Sequence, residues 1–393
     1  MLILVALMMC WSSGLSLTER FDLARACVVE IHPTRKRPGA GYNGFIDCLA
    51  RHSTRLLNIV ITALRRRIVE LAGSDYRTFG FIVFGVDGTK IELPRSDSNL
   101  NHFGTGGKKN ADPEMILCGL FHVATRSLWS FAHDVAKGSE RALFALMLPC
   151  LPKDSLVLAD AGFVGWKTIT ALIEAGQHFV IRAGANVKLL RELGCYVKEH
   201  GDIVYLWPDK QQKKNVPPIV LRRVMVRDAK GREMCLLTNV LDEKRLSDKQ
   251  IIELYAMRWN VEVSYRWLKT SLHGRKMQST SAQHARLEMD WTLMSLWMLT
   301  LISLAAGVPG KELSIAGTLR VVRAAMTRRR ISNRERLSVQ LCRARRDRYT
   351  RSSVKSKRHW PKKGRLHRCG TPLARTANAE EIARYEAILS TAA

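Results

Sequence analysis

The sequence predicts an α/β protein with a central sheet and helices packed against it. Two runs, Phe81–Val86 and Leu156–Ala159, are apolar with little alternation, which is typical of central strands covered on both faces. The chain has 393 residues and a hydrophobic content of 46%, which is enough to bury a large core in one main domain with additions. The composition therefore excludes a disordered chain.

The predicted elements follow one another in an order that suits such a core. Residues 1–75 are expected to form a helical N-terminal region, in which the amphipathic stretch around Arg65–Arg67 could touch a polyanion. The first part of the core, residues 76–183, is expected to contain strands at about 80–93 and 115–133, a helix at about 140–151, the strand before Asp160, a helix near 166–175 and the strand His178–Arg182.

The rest of the chain divides into three predicted segments. Residues 184–241 contain short β segments broken by Gly201, Pro217 and Gly231, which predicts a β-rich insertion. Residues 242–310 form the second part of the core, and residues 311–393 form a basic C-terminal region. The uncharged run Trp291–Val308 is borderline for a membrane span, but its Thr and Ser residues favour a buried core helix. We therefore expect no membrane association.

One segment of the second core part carries polar groups at helical spacing. On a helix, steps of three, four and seven residues bring Tyr255, Arg258, Glu262 and Lys269 within an arc of roughly 60°. A carboxylate with a cation on either side suits a site that holds a divalent metal and a phosphodiester together. The alternative is a solvated face with spaced ion pairs.

Two aspartates follow the apolar runs that predict the central strands. Because ligands gather at the carboxyl ends of strands in open α/β sheets, Asp87 and Asp160 are candidate ligands there. Together with Glu262 they would form an all-oxygen site for two Mg²⁺ ions about 3.5 to 4 Å apart. The alternatives are a hairpin turn at Asp87-Gly88 and a helix cap at Asp160.

The charge of the chain points to a polyanionic partner. There are 63 Lys and Arg against 35 Asp and Glu, a formal charge of +28. Between Arg320 and Arg368 there are 19 Lys or Arg and two acids, so this segment contributes 19 − 2 = +17. Its interleaved Tyr349 and Trp360 suit phosphate backbones with occasional base stacking. The alternative is a tail that only improves solubility.

Cysteine and histidine usage indicates neither disulfides nor a zinc site. The nine cysteines are odd in number and scattered, and none lies in a Cys-x-x-Cys pair, which favours a reducing cytosol. The spacing of His102, His122 and His133 fits no zinc pattern. Carboxylates remain the candidate metal ligands.

The spacing Tyr-x2-Arg-x3-Glu-x6-Lys resembles the signature of the DDE transposases of insertion-sequence family four, also called the YREK group. The Asp-Gly context of Asp87 and the Asp-x-Gly-Phe context of Asp160 resemble the other two motifs of that family, and the resemblance covers about residues 80–275. It implies a ribonuclease-H-like catalytic core interrupted by a β-rich insertion, in which the strands carrying the two aspartates lie side by side. It also implies two Mg²⁺ ions, for which Mn²⁺ can substitute.

The resemblance assigns a role to each candidate residue. Asp87, Asp160 and Glu262 are expected to be the catalytic metal ligands. Tyr255, Arg258 and Lys269 are expected to grip terminal DNA phosphates. Arg182 is a further phosphate candidate, with an ordinary surface arginine as the alternative. The implied partners are double-stranded DNA, as element ends and target, and a second copy of the chain in a paired-end complex.

The implied activity is cutting and joining of DNA at the ends of an insertion sequence, in the cytoplasm at the nucleoid. Two other classes stay open. A structure-specific nuclease of the same superfamily would share the carboxylates without needing the grip on element ends. A non-enzymatic basic nucleic-acid-binding protein, such as a decayed transposase, would make the carboxylates incidental.

Overall fold

The computed structural model describes residues 1–33, 39–107, 111–184, 203–206, 208–227, 231, 233–272, 276–327 and 334–344, together with 378–380, 383 and 387. The described helices are α1 Leu2–Trp11, α2 Leu17–Ile31, α3 Tyr42–Ala72, α4 Asp97–Phe103, α5 Glu140–Met147, α6 Trp166–Glu174, α7 Asp209–Gln212, α8 Asp248–Met257, α9 Trp259–Arg266, α10 Ala282–Ala305, α11 Ile315–Thr327 and α12 Arg334–Arg343. The described strands are β1 Ile82–Glu92, β2 Glu114–His122, β3 Ser127–Val135, β4 Ser155–Ala159, β5 His178–Ala183, β6 Ile203–Leu206, β7 Ile219–Arg227 and β8 Glu233–Thr238.

The chain separates into two compact units. Unit one comprises Met1–Thr78, Asp87–Met147 and Trp259–Asp347. Unit two comprises Phe79–Val86, Leu148–Arg258 and the described residues beyond 348. Strand β1 contributes residues to both units, because the boundary falls between Val86 and Asp87.

Unit one is organised around α10, whose sequence is apolar on nearly every side. Trp291, Met294 and Trp297 are all buried, so the core helix expected for this run is confirmed. The apolar α1 packs against it, and the indole N–H of Trp11 donates to the Ser295 carbonyl at 3.2 Å. Among the described residues, no helix is long and apolar enough to cross a membrane.

The β2–β3 region of unit one differs in detail from the sequence expectation. The run at 115–133 is an antiparallel hairpin that pairs Met115 with Val135 and His122 with Ser127. Arg126 has a φ of 54° in the connecting turn, a left-handed conformation uncommon for a residue other than glycine. Apolar periodicity could not place this turn, because the flanking strands are buried on both sides of it.

Unit two contains a mixed sheet in the order β1-β4-β5-β8-β7-β6. Strands β1 and β4 are parallel, with Ile82 opposite Ser155 and Gly85 opposite Leu158. Strand β5 continues the parallel part, and β8, β7 and β6 are antiparallel to their neighbours. The α/β class and the side-by-side placement of the β1 and β4 strands, expected for a ribonuclease-H-like core, are confirmed.

The segment predicted as an insertion contributes strands to this sheet. Its three described strands, β6, β7 and β8, extend the sheet from β5, to which β8 is paired through Val180 opposite Thr238. Residues 185–202, which contain the first β segment expected there, lie outside the described residues. The five segment boundaries proposed from the sequence stay a prediction.

Candidate active site

Asp87 lies inside β1 and not at its end, so the expected strand-end position is wrong in detail. The strand continues for five residues after Asp87, to Glu92, which also excludes the alternative hairpin turn at Asp87-Gly88. Pairing with β4 stops at Gly85, two residues before Asp87. The Gly88 amide donates to Asp87 Oδ1 at 2.9 Å and so orients the carboxylate.

Glu140 lies directly over Gly88 in unit one. A Cβ added to Gly88 would come within 2.1 Å of Glu140 Oε1, so only a glycine leaves room for this carboxylate. Glu140 begins α5, where an acid also complements the helix dipole. Glu140 was not identified from the sequence. Acids are common at the starts of helices, so the sequence does not show that this one lies near Asp87.

Asp160 follows β4 immediately, as expected for a residue at a strand end. Its Oδ1 accepts the Gly162 amide at 2.8 Å, a two-residue side-chain turn. A Cβ at Gly162 would lie 2.9 Å from the same oxygen, and Phe163 is buried to anchor the turn. The alternative role considered for Asp160 was a helix cap. Asp160 does have a local structural role, but it caps a turn and not a helix.

Glu262 lies on α9, a short helix in unit one with one buried face. Val261, Ser264 and Tyr265 are buried at helical spacing, whereas Glu262 is partly exposed. The side-chain amide of Asn260 anchors the start of the helix by donating to the Val123 carbonyl at 3.2 Å. The fold therefore fixes the helix and leaves the carboxylate accessible.

Tyr265 connects the Glu262 helix to the backbone at Asp87. Its hydroxyl donates to the Asp87 carbonyl at 2.7 Å, and all three residues belong to unit one. Burial raises the pKa of the Tyr265 phenol well above its ordinary value, with Cys118 and Asp87 adding to the effect, so the hydroxyl stays neutral. Sequence reasoning missed Tyr265, although its position three residues after Glu262 places both on one side of a helix.

The segment from Tyr255 to Lys269 is not one uninterrupted α-helix, and the expected common face of its four motif residues stays a prediction. Helix α8 ends at Met257, Arg258 forms a turn, α9 ends at Arg266, and a π-helical turn covers Trp267–Ser271 with Lys269 in it. The wider π turn changes the angle between Glu262 and Lys269. The boundary of the two units also falls between Arg258 and Trp259.

Unit two brings four of the predicted residues into electrostatic contact. The guanidinium carbon of Arg258 lies 5.7 Å from the centre of the Tyr255 ring. Burial raises the pKa of Tyr255, whereas Arg258 and Arg182 oppose the rise and Asp160 adds to it. Two cations and Asp160 therefore all act on the buried Tyr255 phenol, an arrangement that suits binding of a phosphate oxygen.

The carboxylates fit a hard divalent cation by donor chemistry. Asp87 and Asp160 each have one oxygen held by a glycine amide, and all three candidates supply oxygen ligands, which Mg²⁺ prefers. Within the described ranges, no three His, Cys, Asp or Glu side chains converge closely enough to hold a metal ion. His122 and His133 instead make structural hydrogen bonds, to Thr125 and Asp290 respectively.

The basic segment Arg320–Arg368 is only partly described. Residues 328–333 and 345–377 lie outside the described residues, so the expected DNA contact of the tail is not seen. Arg323 in α11 has a different role from the one its charge suggested, because its Nε donates to the Trp11 carbonyl at 2.6 Å within unit one. At least one cation of the segment therefore stabilises the fold.

Comparison with known proteins identifies the family. The profile of the transposase DDE domain matches residues 79–298, which is 220 of 393 residues and more than half of the chain. The chain belongs to the DDE transposases. The matched region contains Asp87, Asp160 and Glu262, and the similarity to an IS4 transposase supports the family that the YREK spacing had indicated.

Two curated relatives and one solved structure are similar to this transposase. The chain is 24% identical to the transposase InsG for insertion sequence element IS4 of Escherichia coli K12, over 54% of this chain and 49% of the relative. It is 33% identical to the putative transposase y4zB of Sinorhizobium fredii, over 33% of this chain and 37% of the relative. The chain therefore spans half or less of these relatives. The cryo-EM structure of the piggyBac transposase synaptic complex with hairpin DNA matches at 11% identity and a TM-score of 0.42, over 76% of this chain and 65% of that one.

Proposed function

We propose that this transposase cuts and joins phosphodiesters at the ends of its own insertion sequence, with Asp87, Asp160 and Glu262 as the ligands of two Mg²⁺ ions. Mn²⁺ is expected to substitute, because it accepts the same oxygen ligands. The proposal rests on DDE family membership and on the three motifs in the order that the family requires. The proposed reaction is cut-and-paste transposition, in which the element is cut out of one DNA site and joined to another.

The register of β1 and β4 is the observation that carries the proposal. Gly85 pairs with Leu158 on parallel strands, and Asp87 and Asp160 each come two residues later along the chain. In open α/β sheets, ligands gather beyond the carboxyl ends of parallel strands, and Asp160 follows β4 directly. Family membership adds Glu262 from the YREK segment as the third carboxylate.

The metal ions, when bound, supply Lewis-acid activation of the attacking and leaving oxygens. Arg258 and Arg182 hold phosphate oxygens of the terminal nucleotides through charge-assisted hydrogen bonds. The buried Tyr255 phenol, whose pKa is raised by burial, donates to the same phosphate. Lys269 adds a further cation from the π turn. Together these groups place the DNA backbone for in-line attack.

The proposed partners follow from this chemistry. The substrate is double-stranded DNA, first as element ends and then as target, and the formal charge of +28 favours association with it. Two copies of the chain are proposed to form the paired-end complex. Because the substrate is chromosomal, the reaction belongs at the nucleoid in the cytoplasm.

The deciding experiment incubates purified protein with its own element-end DNA and Mg²⁺ and scores both cleavage and joined products. Cleavage with joining supports the transposase. Cleavage without joining, on any branched or nicked DNA, would instead indicate a structure-specific nuclease. DNA binding with neither product would indicate a non-enzymatic binding protein and overturn the proposal.

The carboxylate assignment has a separate test. Glu262→Gln, Asp87→Asn and Asp160→Asn keep the side-chain shape but remove the charge that binds the ion, so each should abolish Mg²⁺-dependent cleavage and keep DNA affinity within a few fold. Glu253→Gln is the matched control, because Glu253 is exposed on α8 and belongs to none of the motifs. Near-normal cleavage by any of the three variants would remove that residue from the site.

A further inference from the structure

Tyr265 is placed between two strands of unit one and the helix that carries Glu262. Its hydroxyl donates to the Asp87 carbonyl of β1 at 2.7 Å and accepts the Gly119 amide of β2. Gly119 has to be a glycine for this approach, since a Cβ would lie 2.9 Å from the phenol oxygen. The hydroxyl therefore hydrogen-bonds to the backbone of both strands, at Asp87 in β1 and at Gly119 in β2.

The ring and the hydroxyl of Tyr265 have separable roles. The ring is 6% exposed and packs edge-on against Phe121, with the ring centres 5.4 Å apart, a contact that phenylalanine would preserve. The hydroxyl alone reaches Asp87. Because Tyr265 and Glu262 are three residues apart on α9, a bond from one to the Asp87 backbone fixes the other relative to the Asp87 carboxylate.

We propose that Tyr265 is a positioning residue for divalent-metal binding, whose hydroxyl holds the Glu262 helix at the spacing from Asp87 that a shared ion requires. The inference rests on the proposed function, since it takes Asp87 and Glu262 as metal ligands. Groups that orient metal ligands typically change metal affinity or activity by about 10- to 100-fold when they are removed. A hydroxyl that served only packing would change stability and leave metal affinity unaltered.

The test compares Tyr265→Phe with Tyr42→Phe. Tyr42 is a matched control, because its phenol in α3 is also largely shielded, as the rise of its pKa to about 12 by burial indicates, and it lies apart from the proposed metal ligands. Mn²⁺ affinity is measured by electron paramagnetic resonance on the full chain with element-end DNA, together with thermal midpoints and the Mg²⁺ dependence of cleavage. We expect Tyr265→Phe to weaken Mn²⁺ binding about ten-fold and to raise the Mg²⁺ requirement in parallel. Tyr42→Phe should match the parent in both.

The outcomes separate this inference from the proposed function. Parental Mn²⁺ affinity in folded Tyr265→Phe, whatever its thermal midpoint, overturns the positioning role even if the parent cuts and joins DNA. Weakened Mn²⁺ binding with a parent that does not cleave retains the positioning role and overturns the proposed function. If Tyr265→Phe does not fold, Gly119→Ala replaces it, since its added Cβ would meet the phenol oxygen at 2.9 Å as well as the Phe121 ring at 2.7 Å. Parental Mn²⁺ affinity in that folded variant again overturns the positioning role.

Discussion

At the residue scale, the sequence located the aspartates, but the structure explains the glycines that follow them. Gly88 makes room for the Glu140 carboxylate, and Gly162 lets its amide reach Asp160. At both positions, a carboxylate side chain lies so close to the glycine Cα that a Cβ would collide with it. The motif contexts could be recognised from the sequence, whereas Glu140, 52 positions after Gly88, could not be assigned to the same place by any local pattern.

Gly88→Ala tests whether the carboxylate at Glu140 matters to Asp87. The added Cβ must displace the Glu140 side chain, which is flexible, so the fold should tolerate it. Cleavage should fall between a few-fold and about a hundred-fold, because small displacements next to a reacting centre are costly. In a Glu140→Ala background the same substitution should have no further effect on the cleavage rate. Additive losses in the double variant would show that Gly88 acts independently of Glu140.

At the scale of elements, the helix that carries the YREK residues departs most from expectation. Spacing alone predicts a straight helix, because α-helical periodicity does not reveal the turn at Arg258 or the π turn at Trp267–Ser271. The residue types of the motif were predictable, and their shared face stays a prediction.

The cations of unit two give the element-scale prediction. Arg258→Ala and Arg182→Ala each remove a charge-assisted phosphate contact of about 1.5 to 3 kcal/mol, so binding of element-end DNA should weaken roughly ten-fold or more. Arg227→Ala is the matched control, because Arg227 is an exposed arginine of the same unit that pairs with Glu233 at 3.0 Å. Affinities from fluorescence anisotropy check the prediction. If Arg227→Ala loses as much affinity for element-end DNA, Arg258 and Arg182 contribute only general positive charge and no specific phosphate contact.

At the scale of the whole molecule, the α/β class followed from apolar runs that need two covered faces, and both runs are buried strands. The continuation of the sheet through β8, β7 and β6 did not follow, because strand pairing between segments distant in sequence has no local signal. Charge distribution is the whole-molecule property that sequence describes most directly. Its effect on DNA binding does not depend on the details of packing.

Truncation after Ala344 gives the whole-molecule prediction. A cut at Met326 would remove the end of α11 and all of α12, whose Leu341 is buried, whereas a cut after Ala344 keeps both helices. Residues 345–368 hold 11 Lys or Arg and one Asp, so this cut removes 11 − 1 = +10 from that stretch. Each phosphate contact adds about 0.9 to the slope of log affinity against log salt on duplex DNA, so truncation should flatten the slope by several units. The affinities for specific and nonspecific DNA should fall in similar proportion, because backbone contacts carry no sequence information.

A parental slope measured by salt titration would place the tail away from DNA. A loss confined to element-end DNA would instead assign it to assembly of the paired-end complex.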